Sequence, residues 1–253
     1  MVSAELLVVL VALFAIAALY SSVGHGGGSG YLAVLSLTSF AAAEAIWLKQ
    51  YAWSLNLVVA GLAFWHYSRA GHHDLSLSLP FVCASVPLAA LGGYLSVEGN
   101  VYDLLLSAAL VVASWRLLST KQESIGISRP DAPRAAAVGG GIGLVSGVIG
   151  IGGGIFLSPV LMLCRWATAK EAAATAALFI WLNSLGGLAG AGVAGRLDLD
   201  IGLLAPFAAA VLLGGVVGSR YGSQVSSQSG VRFVLVGVLL VAAVRRAIEV
   251  VGF

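Results

Sequence analysis

Residues 21–30 read SSVGHGGGSG and residues 146–154 read SGVIGIGGG. Each stretch contains three consecutive glycines, Gly26-Gly27-Gly28 in the first and Gly152-Gly153-Gly154 in the second, and each interrupts an apolar segment. Glycine inside a helix costs about 1 kcal/mol relative to alanine, so we expect the helices to break here. Within a bilayer, a broken helix is tolerated where its free backbone groups are buried in protein or line a wet cavity. Two such breaks at matching places in the two halves of a chain are typical of the binding site of a secondary transporter.

The composition is that of an integral membrane protein. Of the 253 residues, 59% are hydrophobic and 9% are charged, and the mean hydropathy is +0.99, whereas soluble domains carry about 25% charged residues. Apolar stretches, each about long enough to cross a bilayer alone or as a pair of half-helices, cover residues 4–23, 29–40, 46–67, 78–97, 101–118, 135–149, 155–163, 172–194, 201–219 and 231–248. Such runs predict an all-α, polytopic, multi-pass protein of the inner (plasma) membrane, because the strands of an outer-membrane barrel would alternate in polarity.

Two similar halves are indicated by landmarks that recur in the same order. The polar residues 119–134 form a cytoplasmic linker between a first transmembrane repeat, residues 1–118, and a second, residues 135–253. The glycine triplets are 126 positions apart, and the pairs Glu44 with Glu171 and Asn56 with Asn183 are 127 apart. We therefore predict homologous halves, each with a Gly-broken or re-entrant helix plus three further helices.

The distribution of Lys and Arg favours one arrangement of these helices over another. If each glycine tract is the tip of a re-entrant hairpin, each half crosses the membrane three times and the halves are inverted repeats. If each half makes four full crossings, the halves are parallel. The hairpin arrangement places more of the basic residues on the cytoplasmic side, which is where they normally accumulate.

An anion site between the two tips is the functional prediction. A half-helix that starts after a glycine tract presents unpaired N–H groups and the positive end of its dipole, which suit an anion with several oxygens. His25 is ionisable and is a candidate for carrying a coupling proton, or it is a neutral ring bonded to a backbone carbonyl. The predicted substrate-binding residues are Ser22, His25, Gly26, Gly27, Gly28, Asn56, Gly152, Gly153, Gly154 and Asn183.

Each of these features has a structural alternative. Glycine tracts also allow helices to pack closely. Asn56 and Asn183 lie within apolar segments, so they face the bundle interior, where they contact substrate or link helices to each other.

Residues 143–159, which read GLVSGVIGIGGGIFLSP, resemble the second-half signature of the TauE/SafE sulfite exporter family, together with Ala172 to Thr175 and Asn183. The length, the two-half layout and the first glycine tract are also similar. The first half departs from the family pattern by His25 within its glycine tract and by the lack of a proline after it. The resemblance implies a multi-helix transporter of sulfur-containing anions such as sulfite, thiosulfate or organosulfonates.

The sequence therefore predicts a secondary transporter that works by alternating access. A channel-like anion pore and a membrane scaffold subunit without transport are the alternatives. The chain lacks the motifs of metalloproteases, serine hydrolases and P-loop ATPases, so we predict no enzyme, no cofactor and no metal. The expected partners are a small sulfur-containing anion and the lipid bilayer, with no nucleic acid, and assembly into a homo-oligomer is left open.

Overall fold

The computed structural model describes residues 4–95, 97–118 and 126–224, together with residues 240, 243, 244 and 248. The described residues form helices joined by turns and short loops, and they contain no strand. The helices are α1 Ala4–Ser21, α2 Gly28–Ser36, α3 Ala45–Arg69, α4 Leu75–Tyr94, α5 Gly99–Leu118, α6 Ala132–Ile149, α7 Gly154–Leu163, α8 Ala169–Val193 and α9 Ile201–Gln224, with a short 3₁₀ helix Ser39–Ala42 after α2. Residues 119–125 of the linker and most of the predicted apolar segment 231–248 lie outside the described residues.

Five of these helices are long and apolar enough to cross a membrane: α1, α4, α6, α8 and α9. Leucine, valine and phenylalanine side chains are exposed along α1, as at Leu7, Val8 and Val11. Large apolar side chains on the outside of a helical bundle are suited to contact with lipid tails. The helix α3 has 25 residues but carries Lys49, Gln50 and Asn56, and all three are buried.

Each glycine tract separates two helices that form a hairpin. After α1, the chain turns at the first tract and returns as α2, so that the backbone N–H of Ser39 donates to Glu5 Oε1 near the start of α1, at 2.7 Å. After α6, the chain turns at the second tract and returns as α7, and the N–H of Ser128, ahead of α6, donates to the carbonyl of Arg165, at 2.9 Å. Both hairpins therefore come back to the end of the molecule from which they started.

Close backbone contacts at small residues hold α6 against α4. A methyl group added to any of three glycines on α6 would overlap a carbonyl oxygen of α4, so only glycine allows this approach. The contacts run in ascending order along both helices: Gly139 with Phe81, Gly143 with Ser85 and Gly147 with Ala89. The two helices are therefore parallel.

The same kind of contact joins α9 to α1. Three glycines of α9, again four residues apart, meet the α1 backbone in ascending order: Gly214 with Phe14, Gly218 with Ala18 and Gly222 with Ser22. These helices are parallel as well. In each of these pairs, one helix comes from the first half of the chain and the other from the second half.

The long helices α3 and α8 cross at the centre in opposite directions. Gly61 of α3 meets the ring of Trp181, and Gly187 of α8 meets the ring of Trp53, so the residue numbers rise on one helix as they fall on the other. His66 on α3 contacts Ser219 on α9, with 2.8 Å between Nδ1 and Oγ.

The directions of these contacts divide the described spans into two sets. On α8, Gly186 meets Val86 and Gly190 meets Ala90 of α4, again in ascending order. Gly215 of α9 lies beside Val59 and Leu62 of α3, and Ser219 lies beside His66, so the residue numbers rise together along α9 and α3. The parallel helices α1, α3 and α9 form what we term the first bundle, and the parallel helices α4, α6 and α8 form the second bundle, which runs the opposite way.

Polar contacts fasten the two ends of the molecule. At one end, termed the Arg129 face, the guanidinium of Arg129 lies 3.0 Å from Asp74 and 2.7 Å from Glu171, which precede or begin α4 and α8. At the other end, termed the Gln50 face, the Gln50 amide exchanges two hydrogen bonds with the backbone of Asp198, at 2.8 and 2.9 Å. The first hairpin enters from the Gln50 face and the second enters from the Arg129 face.

Candidate functional site

The two glycine tips meet at the amide of Asn56, halfway along α3. A methyl group added to Gly26 would lie 2.5 Å from Asn56 Oδ1, and one added to Gly28 would lie 2.7 Å from Asn56 Nδ2. A methyl group added to Gly152 of the other tip would lie 2.9 Å from the same Nδ2. The amide therefore packs directly against both tips, and the lack of side chains there is what makes room for it.

Two helix N-termini are left open at this point. The residue before α2 is Gly27, with φ of 102°, and the residue before α7 is Gly153, with φ of 83°, a conformation that glycine adopts without strain. Neither helix start has a side-chain cap. The first N–H groups of a helix have no partner within it and carry a partial positive charge, equivalent to about half an elementary charge. Both helix starts can therefore donate to an anion.

Buried polar atoms without partners occur on α3 and α8, the two central helices. Asn56, Asn183 and Ser184 are fully buried. The amide atoms of both asparagines and the hydroxyl of Ser184 have no hydrogen-bond partner among the described residues. A methyl group added to Gly152 would lie 3.2 Å from Ser184 Oγ, so this hydroxyl is beside the second tip. Leaving such a group unpaired costs about 1–3 kcal/mol, which a polar ligand would recover.

His25 bridges the two tips. Its Nδ1 lies 2.9 Å from the carbonyl oxygen of Val23, in its own tip, and its Nε2 lies 3.2 Å from the carbonyl oxygen of Gly154 and 3.2 Å from Ser158 Oγ, both on α7. Each ring nitrogen faces a carbonyl, which only accepts, so the neutral ring can donate to one of the two carbonyls and the protonated ring to both. The Ser158 hydroxyl can donate to Nε2 when that nitrogen carries no proton, and it can accept from Nε2 when it does. The ring can gain a proton without losing the contact between the tips.

Comparison with known proteins places this geometry in a family. The model of the family described as "Sulfite exporter TauE/SafE" matches residues 8–246, which include both glycine tips and both asparagines. The chain belongs to the TauE/SafE sulfite exporter family. A protein of Sinorhizobium fredii, named a probable membrane transporter protein y4hK, is 32% identical over 240 residues, which cover 93% of this chain and 95% of the relative. No solved structure matches the chain. This TauE/SafE protein is accordingly a multi-pass membrane transporter.

Other predicted site residues have contacts away from the Asn56 amide, or lie on α8 without a described contact to it. The Ser22 hydroxyl donates to the carbonyl of Leu19 within α1, at 2.7 Å. Gly153 packs against Phe179 and Ser146 instead of Asn56. Asn183 lies on α8, three residues after Ile180.

Three residues of this TauE/SafE protein that the sequence analysis did not select lie at the site. Ile180 packs against Gly26, Gly152 and Gly154 and fills the apolar side of the tips. Ser184 and Ser158 contribute hydroxyls. Both serines could have been found from the sequence, since Ser184 directly follows Asn183 in an apolar helix and Ser158 comes four residues after the second glycine triplet.

Proposed function

We propose that this protein is a secondary transporter of a small sulfur-containing anion, sulfite, thiosulfate or an organosulfonate, which binds between the two glycine tips. The observation that carries the proposal is the meeting of two uncapped helix N-termini at the unpaired amide of Asn56. A sulfur oxyanion has several acceptor oxygens within a small radius, and it would accept from both helix starts and from Asn56 Nδ2 at once.

The charge of the anion is balanced in this proposal by dipoles. The two helix starts together supply a partial charge of about one elementary unit. Asn183 and Ser184 offer further polar contacts from the α8 side, and Ser22 and Gly27 belong to the first tip. Such a site favours moderate affinity, which suits a carrier that must release its substrate.

His25 is the proposed proton-coupling residue. Its contacts with Gly154 and Ser158 join the first tip to the second. Protonation would add a positive charge beside the anion and make both ring nitrogens donors. Binding of the anion and of a proton would then favour each other, as linked equilibria require.

We further propose that the two halves are inverted repeats and that transport proceeds by alternating access. Support comes from helix directions: α3 and α8 occupy corresponding places in the two halves and run in opposite directions, as do the two bundles that contain them. Rocking of one bundle against the other would open the tips first to one face and then to the other.

The orientation in the inner membrane follows from the described basic residues. Two of them lie toward the Gln50 face: Arg196 in the loop between α8 and α9, and Lys49, which is buried on α3. The Arg129 face carries Arg69, Arg129, Arg134, Arg165, Lys170 and Arg220. Cytoplasmic loops carry the excess of Lys and Arg, so we assign the Arg129 face to the cytoplasm.

The test is flux of labelled sulfite in proteoliposomes that contain the purified protein. We expect saturable uptake that is accelerated by unlabelled sulfite on the opposite side, because a carrier exchanges substrates and a pore does not. Replacing Asn56 with leucine should raise the sulfite KM about tenfold or more, since a hydrogen bond to a charged partner contributes about 1.5–3 kcal/mol. Asn100→Leu is the matched control, because Asn100 is exposed at the start of α5. Flux without counterflow, or a normal KM in Asn56→Leu, would refute the proposed site or cycle.

A further inference from the structure

Lys49 is a fully buried lysine beside the second glycine tip. Its stem packs against Gly150, where a methyl group would lie 2.7 Å from Lys49 Cγ. Its Nζ has no hydrogen-bond partner among the described residues and lies 5.4 Å from the centre of the Tyr102 ring. The side chain is 0% exposed. Lysine is almost never fully buried unless its charge is paired, so this ammonium group calls for a partner.

The fold does not require a lysine at this place. At the spacing of 127 that relates Asn56 to Asn183, the position matching Lys49 in the second half is Ala176. Ala176 is also fully buried, so a small apolar residue fills the matching environment. The buried charge is therefore an addition to the first half.

The dipole of α6 stabilises the charge of Lys49 only in part. Gly150 directly follows the last residue of α6, so the ammonium lies toward the negative end of that helix, but a dipole satisfies none of its three N–H donors. The carbonyl of Ile149 accepts from the Tyr102 hydroxyl, at 3.3 Å, whereas Lys49 Nζ bonds none of the described residues. Of the described charged groups, the exposed Glu98 attracts the ammonium and Arg196 repels it.

The position of Lys49 relative to Asn56 suggests what the charge does. Seven residues separate them on α3, which is about 10.5 Å along the axis and almost two whole turns, so both lie on the same face of the helix. Asn56 contacts the glycines of the tips, and Lys49 contacts Gly150, just ahead of the second triplet. Lys49 lies on the side of Asn56 that leads to the Gln50 face. One helix face thus carries two unpaired polar groups in line between the centre and that surface.

We propose that Lys49 is a second anion-binding station, which holds the small sulfur oxyanion between the glycine-tip site and the Gln50 face. This inference rests on the proposed function. The three N–H donors of the ammonium would be satisfied by the anion's oxygens, and the Tyr102 ring would form the wall behind them. An anion leaving Asn56 would meet a full positive charge two helical turns away, which lowers the barrier to its passage through the apolar part of the bundle.

The experiment compares Lys49→Met, which removes the charge and keeps the length, with Lys49→Arg, which keeps the charge. Lys170→Met is the control, because Lys170 lies at the start of α8 on the opposite face and donates to the carbonyl of Ser223, at 3.2 Å. Sulfite binding to the detergent-purified protein is measured by titration calorimetry, and sulfite flux is measured in proteoliposomes. We expect two bound anions per chain in the wild type and one in Lys49→Met, and a flux at least tenfold lower in Lys49→Met, with Lys49→Arg and Lys170→Met near the wild type.

The outcomes separate this inference from the proposed function. If Asn56→Leu removes one bound anion and Lys49→Met removes none, the glycine-tip site stands and the Lys49 station is refuted. If sulfite neither binds to the wild type nor crosses the bilayer, both are refuted. If Lys49→Met lowers the unfolding temperature without changing stoichiometry or flux, Lys49 is structural and the station is again refuted.

Discussion

The replacement of Gly26 by alanine tests whether the position of the Asn56 amide sets the affinity for the anion. The φ angle of Gly26 is not positive, so alanine is compatible with the backbone. The new methyl group would lie 2.5 Å from Asn56 Oδ1 and 2.9 Å from Ile180 Cγ2, whereas ordinary contacts begin at 3.4 Å. The amide must therefore move by about 0.9 Å or more, while its chemistry is unchanged.

We expect two measurable effects of Gly26→Ala. Overpacking of this kind destabilises a protein by about 1–3 kcal/mol, which lowers the unfolding temperature in detergent. A displaced amide loses a hydrogen bond to a charged ligand, so the sulfite KM in proteoliposomes should rise about tenfold or more, at about 1.4 kcal/mol per factor of ten.

The matched control is Gly141→Ala. Gly141 is exposed on α6, and a methyl group there has no neighbour within 4 Å. Alanine is favoured over glycine in a helix by about 1 kcal/mol, so this variant should be slightly more stable and should transport normally. A wild-type KM in Gly26→Ala, with a lowered unfolding temperature, would refute the role given to the amide.

Gly218→Ala should lower the unfolding temperature strongly and reduce the yield of folded protein, because its methyl group would overlap the carbonyl of Ala18 where α9 contacts α1; Gly141→Ala serves again as control, and unchanged stability would contradict the close contact. His25→Gln should flatten the pH dependence of sulfite flux, since glutamine cannot carry the coupling proton, and an unchanged profile would remove His25 from coupling. Asp74→Ala should destabilise the protein by about 1 kcal/mol at pH 7, because the Asp74 carboxylate caps α4. Hydrogen bonds from Ser76, followed by the charge of Arg129, lower the pKa of Asp74 below its ordinary value of 3.8, so this contribution is present above that pH and is lost as the pH falls further. Unfolding temperatures of wild type and Asp74→Ala should therefore converge in acid, and a constant difference would contradict this assignment.

The helix breaks and the helical segments followed from the sequence because glycine triplets and apolar length act locally. Each triplet separates two helices, at Gly28 and at Gly154, as predicted. Asn56 was expected to face the bundle interior, because a polar side chain in an apolar segment must face protein, and it is fully buried. Its contact with glycines of both tips could not be read from the sequence, since that depends on how the two hairpins meet.

The burial of Lys49 was not predicted. It precedes Gln50 near the start of an apolar segment, where a lysine ordinarily reaches the surface. Local sequence gives no sign that Gly150, about a hundred residues later, packs against the Lys49 side chain and helps to bury it.

The glycine contacts between helices correspond in the two halves at one position. Gly92 of α4 meets the backbone of α6 at Leu144, and Gly214 of α9, 122 positions later, meets the backbone of α1 at Phe14. The other glycines of these contacts lie on α6 in one pair and on α9 in the other, although α6 corresponds to α1 and α9 to α4. Matching positions between the halves therefore reveals only some of them, although their spacing of four residues is a signal of close packing.

The pairing of α1 with α9 has a consequence for how the protein is made. The partner of α1 begins at Ile201, about 180 residues after α1 ends at Ser21. At about 5–20 residues per second, a ribosome takes roughly 10–40 s to deliver it. During that interval the surface of α1 around the Phe14 and Ala18 carbonyls, which α9 covers in the folded protein, faces the lipid or the insertion machinery. A nascent chain stalled before Ile201 should therefore hold α1 in a different environment from the finished protein, and crosslinks placed along this surface would show when assembly is complete.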